Sequence, residues 1–194
     1  TQGQLQENYI GKIQIHTLPY LNTEYLGFLM NENNLSASQH LAVRKAINYG
    51  FDRQKMITYL RNNIGIPANE GFVPKGLPSF TDSLRGYDYN LEMARQLLAD
   101  SDISTPISIE LNTTSSYLDL CEFIQNQLVE VGIQLEININ SPSTHRQMVA
   151  TSKLDFFRGS WIADYADAEN YLALFYSKNF CPGGPNYTHF SNPI

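Results

Sequence analysis

The 194 residues suit one α/β domain, or one large lobe of a bigger protein, and a chain of this length buries a core without a metal or disulfide staple. Hydrophobic residues make up 42% and charged residues 16%, a globular composition and not a disordered one. A net charge of −6 with no basic run excludes a nucleic-acid footprint and a polybasic membrane signal, and no apolar run is long enough to span a bilayer.

The chain opens Thr1-Gln2-Gly3, with neither a methionine nor the charged and apolar regions of a secretion signal. Such a signal is expected either to have been removed or to lie outside this sequence. Lys12-Ile13-Gln14-Ile15-His16 alternates as a strand does, and Pro19 separates it from a second extended run, Tyr20 to Met30. Asn31 to Asn34 reads as a polar loop. Ser38 is expected to cap a helix through Tyr49, with Leu41, Val43, Ala46 and Ile47 on its apolar face and Gly50 as its stop. Asp52 caps a second helix that carries Met56, Ile57 and Leu60. From Asn62 to Asn90, Pro67, Pro74, Gly76 and Pro78 forbid long regular structure, which predicts a surface excursion that wraps the lobe or carries function.

Asn90 caps a helix from Leu91 to Ala99, and Ile107 to Leu111 alternates as a strand. Ser116 starts a longer helix to Val131, ended by Gly132. Ile133, Leu135, Ile137 and Ile139 mark the next strand, Ser143 caps a short helix to Val149, and Leu154 to Trp161 is a further strand. Leu172 to Tyr176 has helical character. The strand-helix-strand-helix-strand order from residue 107 predicts an α/β fold with a parallel or mixed sheet covered by helices. Cys121 falls in a helical pattern as a small buried hydrophobe, whereas Cys181 lies in a Pro/Gly loop where it can pair with a group outside this sequence.

Ligands of open α/β sheets collect at the carboxyl ends of strands. The last strand ends in Phe156-Phe157-Arg158-Gly159-Ser160-Trp161-Ile162-Ala163-Asp164-Tyr165-Ala166-Asp167-Ala168-Glu169-Asn170, which holds the only Trp, an Arg and several carboxylates. Asp164, beside Trp161 and Tyr165, can fix an ammonium group through a charge-assisted hydrogen bond, or it can cap the following turn. Arg158, on the strand itself, needs a carboxylate partner, and Asp155 and Asp164 are the nearby ones. Trp161 offers a flat apolar wall to a ligand, or simply core.

Catalytic and metal chemistry find little support. The four histidines, His16, His40, His145 and His189, lack metal spacing, and no nucleophile elbow, phosphate loop or dinucleotide fingerprint is present. No catalytic residue, metal ligand or cofactor is expected. A carboxylate pair of glycosidase type from Asp164 and Glu169 would have to come from one loop, whereas such pairs face each other across a cleft.

Four stretches, in order, carry a family resemblance: Tyr25 to Met30, Val43-Arg44-Lys45-Ala46-Ile47-Asn48-Tyr49-Gly50-Phe51-Asp52-Arg53-Gln54-Lys55-Met56-Ile57, Tyr87 to Leu98, and Trp161-Ile162-Ala163-Asp164-Tyr165-Ala166-Asp167-Ala168-Glu169-Asn170-Tyr171-Leu172, followed by Phe190-Ser191-Asn192-Pro193. The chain resembles the dipeptide-, oligopeptide- and nickel-binding family of ABC-importer solute-binding proteins. The resemblance implies a type II periplasmic-binding-protein lobe. Residues 1–194 would form a single C-terminal lobe, without its N-terminal mate or return strand. It further implies a periplasmic or extracellular location, a lipid anchor on the missing N-terminal part, and importer membrane subunits as partners.

By the same resemblance Asp164 would pair with a peptide's ammonium, Arg158 would receive its carboxylate, and Trp161 and Tyr165 would line the cavity. Two departures stand out. Leu111-Asn112-Thr113-Thr114-Ser115 offers no cation of the kind a strict dipeptide binder needs, and Ala168 replaces a usual proline. A regulatory sensor built on the same lobe and a hydrolase are the alternative functions.

Overall fold

A computed structural model describes residues 5–16, 18–30 and 36–192. Its sheet is built from β1 (Asn22–Phe28), β2 (Ile107–Thr114), β3 (Ile133–Asn140) and β4 (Phe156–Ile162), in the spatial order β1-β4-β2-β3. β2 runs parallel to β3 from Ile107↔Ile133 to Thr114↔Asn140, and parallel to β4 at Asn112↔Phe157. β1 closes the other edge antiparallel to β4, from Asn22↔Ile162 to Phe28↔Phe156. The chain therefore leaves β2 in one direction to make β3, then passes back across β2 to make β4. In open α/β sheets such a reversal of direction is where ligands collect, outside the carboxyl ends of the strands.

Period-two alternation decides which face is buried. Ile107, Ile109, Leu111, Ile133, Leu135 and Phe156 form one core with α1 (Leu41–Tyr49), α3 (Leu91–Ala99) and α4 (Leu118–Leu128), which contribute Val43, Ala46 and Ile47, then Ala94 and Leu98, then Cys121, Ile124 and Leu128. Ser108, Glu110, Gln134 and Glu136 alternate with these apolar residues and are exposed.

Asp52 and Asn90 cap as expected, accepting from Lys55 N at 2.9 Å ahead of α2 (Arg53–Leu60) and from Met93 N at 2.9 Å ahead of α3. Gly132 closes the segment after α4 at a φ of 87°, a left-handed conformation that glycine adopts without a Cβ penalty.

Elsewhere the structure corrects the reading. Lys12 to His16 is turn and irregular chain, because its exposed Ile13 and Ile15 have no strand to pair with. Ser38 sits inside a short 3-10 turn, Ala37–Gln39, and the cap of α1 is His40, whose Nδ1 accepts from Ala42 N at 3.3 Å. Ser141, not Ser143, caps α5 (Pro142–Ala150), because Pro142 at the first helical position fixes the start two residues earlier. The stretch from Ser115 to Val131 is divided into 3-10, α and 3-10 portions. The loop read at 31–34 lies outside the described residues, as does Pro193.

The excursion between α2 and α3 holds neither helix nor strand, as expected. It is pinned by Phe72, whose ring meets Tyr25, Phe175 and Tyr171 edge-on at 5.2, 5.0 and 6.2 Å while its carbonyl accepts from Thr23 Oγ1 at 3.0 Å. Arg53 fastens the far end through Asn48 O and Tyr87 O at 2.9 and 3.3 Å. No helix among the described residues is long and apolar enough to cross a membrane. Cys121 and Cys181 are both free and buried, and Cys181 Sγ lies 3.1 Å from Ser152 Oγ and 3.3 Å from His189 Nε2.

Leu111, fully buried on the central strand, is the test of this core. Leu111→Ala is expected to lower unfolding stability by about 2–5 kcal/mol in urea titration. The change Gln134→Ala at an exposed position of β3 is expected to stay within about 0.5 kcal/mol.

Candidate functional site

The segment after β4 is tied to the sheet before it turns into α6 (Ala168–Leu172). Ala163 N donates to Leu21 O at 3.0 Å, and the Tyr171 hydroxyl donates to the same carbonyl at 2.7 Å. Asn170, 5% exposed, then organises the turn from inside. Its Oδ1 accepts from Trp161 Nε1 at 2.9 Å and from Asp164 N at 3.2 Å, so one amide oxygen fixes both the ring and the backbone of Asp164.

The two readings of Asp164 separate here. Capping of α6 is done by Asp167, whose Oδ1 accepts from Glu169 N at 2.8 Å. The exposed Asp164 carboxylate therefore stands just past a strand end on a braced turn, free of the capping role. Tyr165, half-exposed beside it, reaches Glu169 Oε2 at 3.4 Å through its hydroxyl. Trp161 is partly buried and held in one orientation by Asn170. Asp164 lies on the turn and Glu169 in the first turn of α6, five residues apart in the chain. Among the described residues no group of His, Cys, Asp and Glu is placed to hold a metal ion.

Arg158 is set apart from these three. It lies three residues before Trp161 on the strand, so the two side chains leave on opposite faces. Its expected partners were Asp155 and Asp164; the partner is Glu24, on the neighbouring strand β1, whose Oε2 accepts from Nη2. The Tyr117 ring stacks on the guanidinium, 3.1 Å from carbon to centroid. Burial pushes the Arg158 pKa down to about 10, so the group stays charged at neutral pH. His145 holds the backbone at this point, its Nε2 lying 2.9 Å from Arg158 O.

Register explains the pair. Leu26 faces Arg158 and Glu24 faces Ser160 across the antiparallel strands, which makes Glu24 and Arg158 diagonal neighbours on one face. On the other face Tyr25 lies over Gly159 and Phe157 over Gly27, where a Cβ would come within 2.6 and 2.5 Å of the respective rings. Burial drives the Tyr25 hydroxyl pKa far above its ordinary value. Sequence reasoning assigned no role to Glu24, Tyr117 or Asn170. Only Asn170 left a signal, as a member of the motif that begins at Trp161.

The profile of the family described as "Bacterial extracellular solute-binding proteins, family 5 Middle" matches residues 2–180. The chain belongs to this family. The oligopeptide-binding protein OppA of Bacillus subtilis is 26% identical over 164 residues, 78% of this chain and 29% of that protein. The dipeptide-binding protein of Escherichia coli is 22% identical over 183 residues, 91% of this chain and 34% of that one. This chain thus spans about a third of the length of the curated relatives it matches. Among solved structures, the substrate-binding protein CtaP of Listeria monocytogenes superposes with a TM-score of 0.78 at 22% identity, covering 97% of this chain and 40% of that one. The DppA protein of Helicobacter pylori, in complex with the peptide STSA, superposes at 0.74 and 20% identity over 88% of this chain and 33% of that one. The mixed α/β fold is that of type II periplasmic binding proteins.

The single tryptophan makes the Asn170 brace measurable. Asn170→Ala leaves the indole N–H and the Asp164 amide without their acceptor, and is expected to cost about 1–3 kcal/mol of stability. Tryptophan emission should shift as the ring loses its fixed orientation, a change that should be absent in Ala166→Ser on the same turn.

Proposed function

We propose that residues 1–194 form a single C-terminal lobe of a two-lobed solute-binding protein that acts in the periplasm or outside the cell and delivers peptides to the membrane subunits of an ABC importer. The observation that carries this reading is Asp164. It is an exposed carboxylate at the carboxyl end of a strand, on a turn braced by Asn170, relieved of capping by Asp167, and flanked by Trp161 and Tyr165. A carboxylate so placed meets an α-ammonium through a charge-assisted hydrogen bond, while the two aromatic side chains give apolar walls to a side chain of any shape. Relatives named for oligopeptide, dipeptide and glutathione binding support a peptide, although another relative is named a heme-binding protein.

In this reading the lobe supplies half of a cleft and the missing mate supplies the other half. Ligand binding then requires both, because a half-enclosed peptide keeps much of its water and gains little net affinity. Arg158 stands earlier on β4, on the face opposite Trp161. Catalysis has no place in the scheme.

The full-length protein that contains this lobe, denatured after purification, is expected to release peptides identifiable by mass spectrometry. Asp164→Asn should weaken binding of a free-amino tetrapeptide by about ten- to a hundredfold, the worth of one hydrogen bond to a charged group. The N-acetylated peptide should bind weakly to both proteins. Release of a non-peptide ligand, or undiminished binding by Asp164→Asn, would overturn the assignment.

A further inference from the structure

Arg158 invites the reading of a second anchor, one for the peptide's carboxylate, and its geometry argues against that. A guanidinium grips a carboxylate through one of two forked edges, and both edges include Nη2. In this protein Nη2 already donates to Glu24 Oε2. The remaining Glu24 oxygen is in use as well, accepting from Asn22 Nδ2 at 2.8 Å. One face of the guanidinium is covered by Tyr117, and Nε is buried without a partner. Nη2 carries one N–H on each edge, so an incoming carboxylate would take the second beside Glu24 and meet that side chain's negative charge at close range.

We infer that Glu24 is a specificity-determining residue, which neutralises Arg158 so that the site accepts peptides without recognising their C-terminal carboxylate. This inference rests on the peptide reading above. The substrate class it names is peptides held from the ammonium end, whose C-terminus is free to be extended, amidated or followed by more residues. The neutral end of β2, Asn112-Thr113-Thr114, is consistent with this, since it provides no cation to take over the task.

The test compares a tetrapeptide with its C-terminal amide on the full-length protein by titration calorimetry. Wild type is expected to bind the two within about threefold of each other. Glu24→Gln keeps the Asn22 contact and removes the charge, and should bind the free acid about tenfold more tightly than the amide. The double variant Glu24→Gln with Arg158→Gln should lose that preference, which a merely structural role for Glu24 would not produce. Tryptophan emission at Trp161 and urea unfolding check that each variant is folded, and Glu24→Asp, which keeps the charge, should behave as wild type if Glu24→Gln fails to fold. A wild type that already prefers the acid by about tenfold would overturn the inference and leave the peptide reading standing, as would a folded Glu24→Gln that binds both peptides alike. Binding of neither peptide would sink the peptide reading itself and the inference with it.

Discussion

Antiparallel pairing of β1 with β4 is the constraint on which the candidate site depends. It joins residues far apart in the chain, Glu24 and Arg158 being 134 positions from one another. The pairing uses both faces. On one face two glycines admit two aromatic rings against the backbone, Tyr25 over Gly159 and Phe157 over Gly27, and the chain between α2 and α3 is clamped there through Phe72. On the other face Phe28 stacks on Phe156 at 4.5 Å, and one step along the same face Glu24 meets Arg158. A slip of one residue in this register would exchange the two faces and dismantle both arrangements at once.

From that pairing the site follows mechanically. β4 can leave the sheet only where β1 begins, and Leu21 receives two hydrogen bonds at that point, from Ala163 and Tyr171. The turn beyond is then short and braced by a buried amide. A carboxylate held on a braced turn has little conformational freedom left to lose. Asp167 completes the arrangement by taking the capping role that Asp164 would otherwise compete for.

Charge at the other end of the strand is handled differently. A partly buried guanidinium is costly to leave without a counter-charge, and Glu24 supplies it from the neighbouring strand. One exposed carboxylate just past the end of β4 and one satisfied ion pair on the strand itself thus stand within a few residues of each other.

Much of this was legible in the chain itself. Alternation marked Ile107 to Leu111 and Ile133 to Ile139, and the caps Asp52, Asn90 and Gly132 act within four residues of their partners, so local sequence contains all they need. Ser38 and Ser143 misled because capping is also decided by what lies next to the candidate, a 3-10 turn in one case and Pro142 in the other. Lys12 to His16 misled because alternation describes a strand only when another strand is there to receive its hydrogen bonds. By itself the sequence determined the α/β class and the family, since these rest on short-range pattern and motif. Only the tertiary structure decided that Asn170 braces the turn, that Asp167 and not Asp164 caps α6, and that Arg158 belongs to Glu24, because each depends on which strands and turns meet in space, and the Arg158–Glu24 pair joins residues separated by most of the chain.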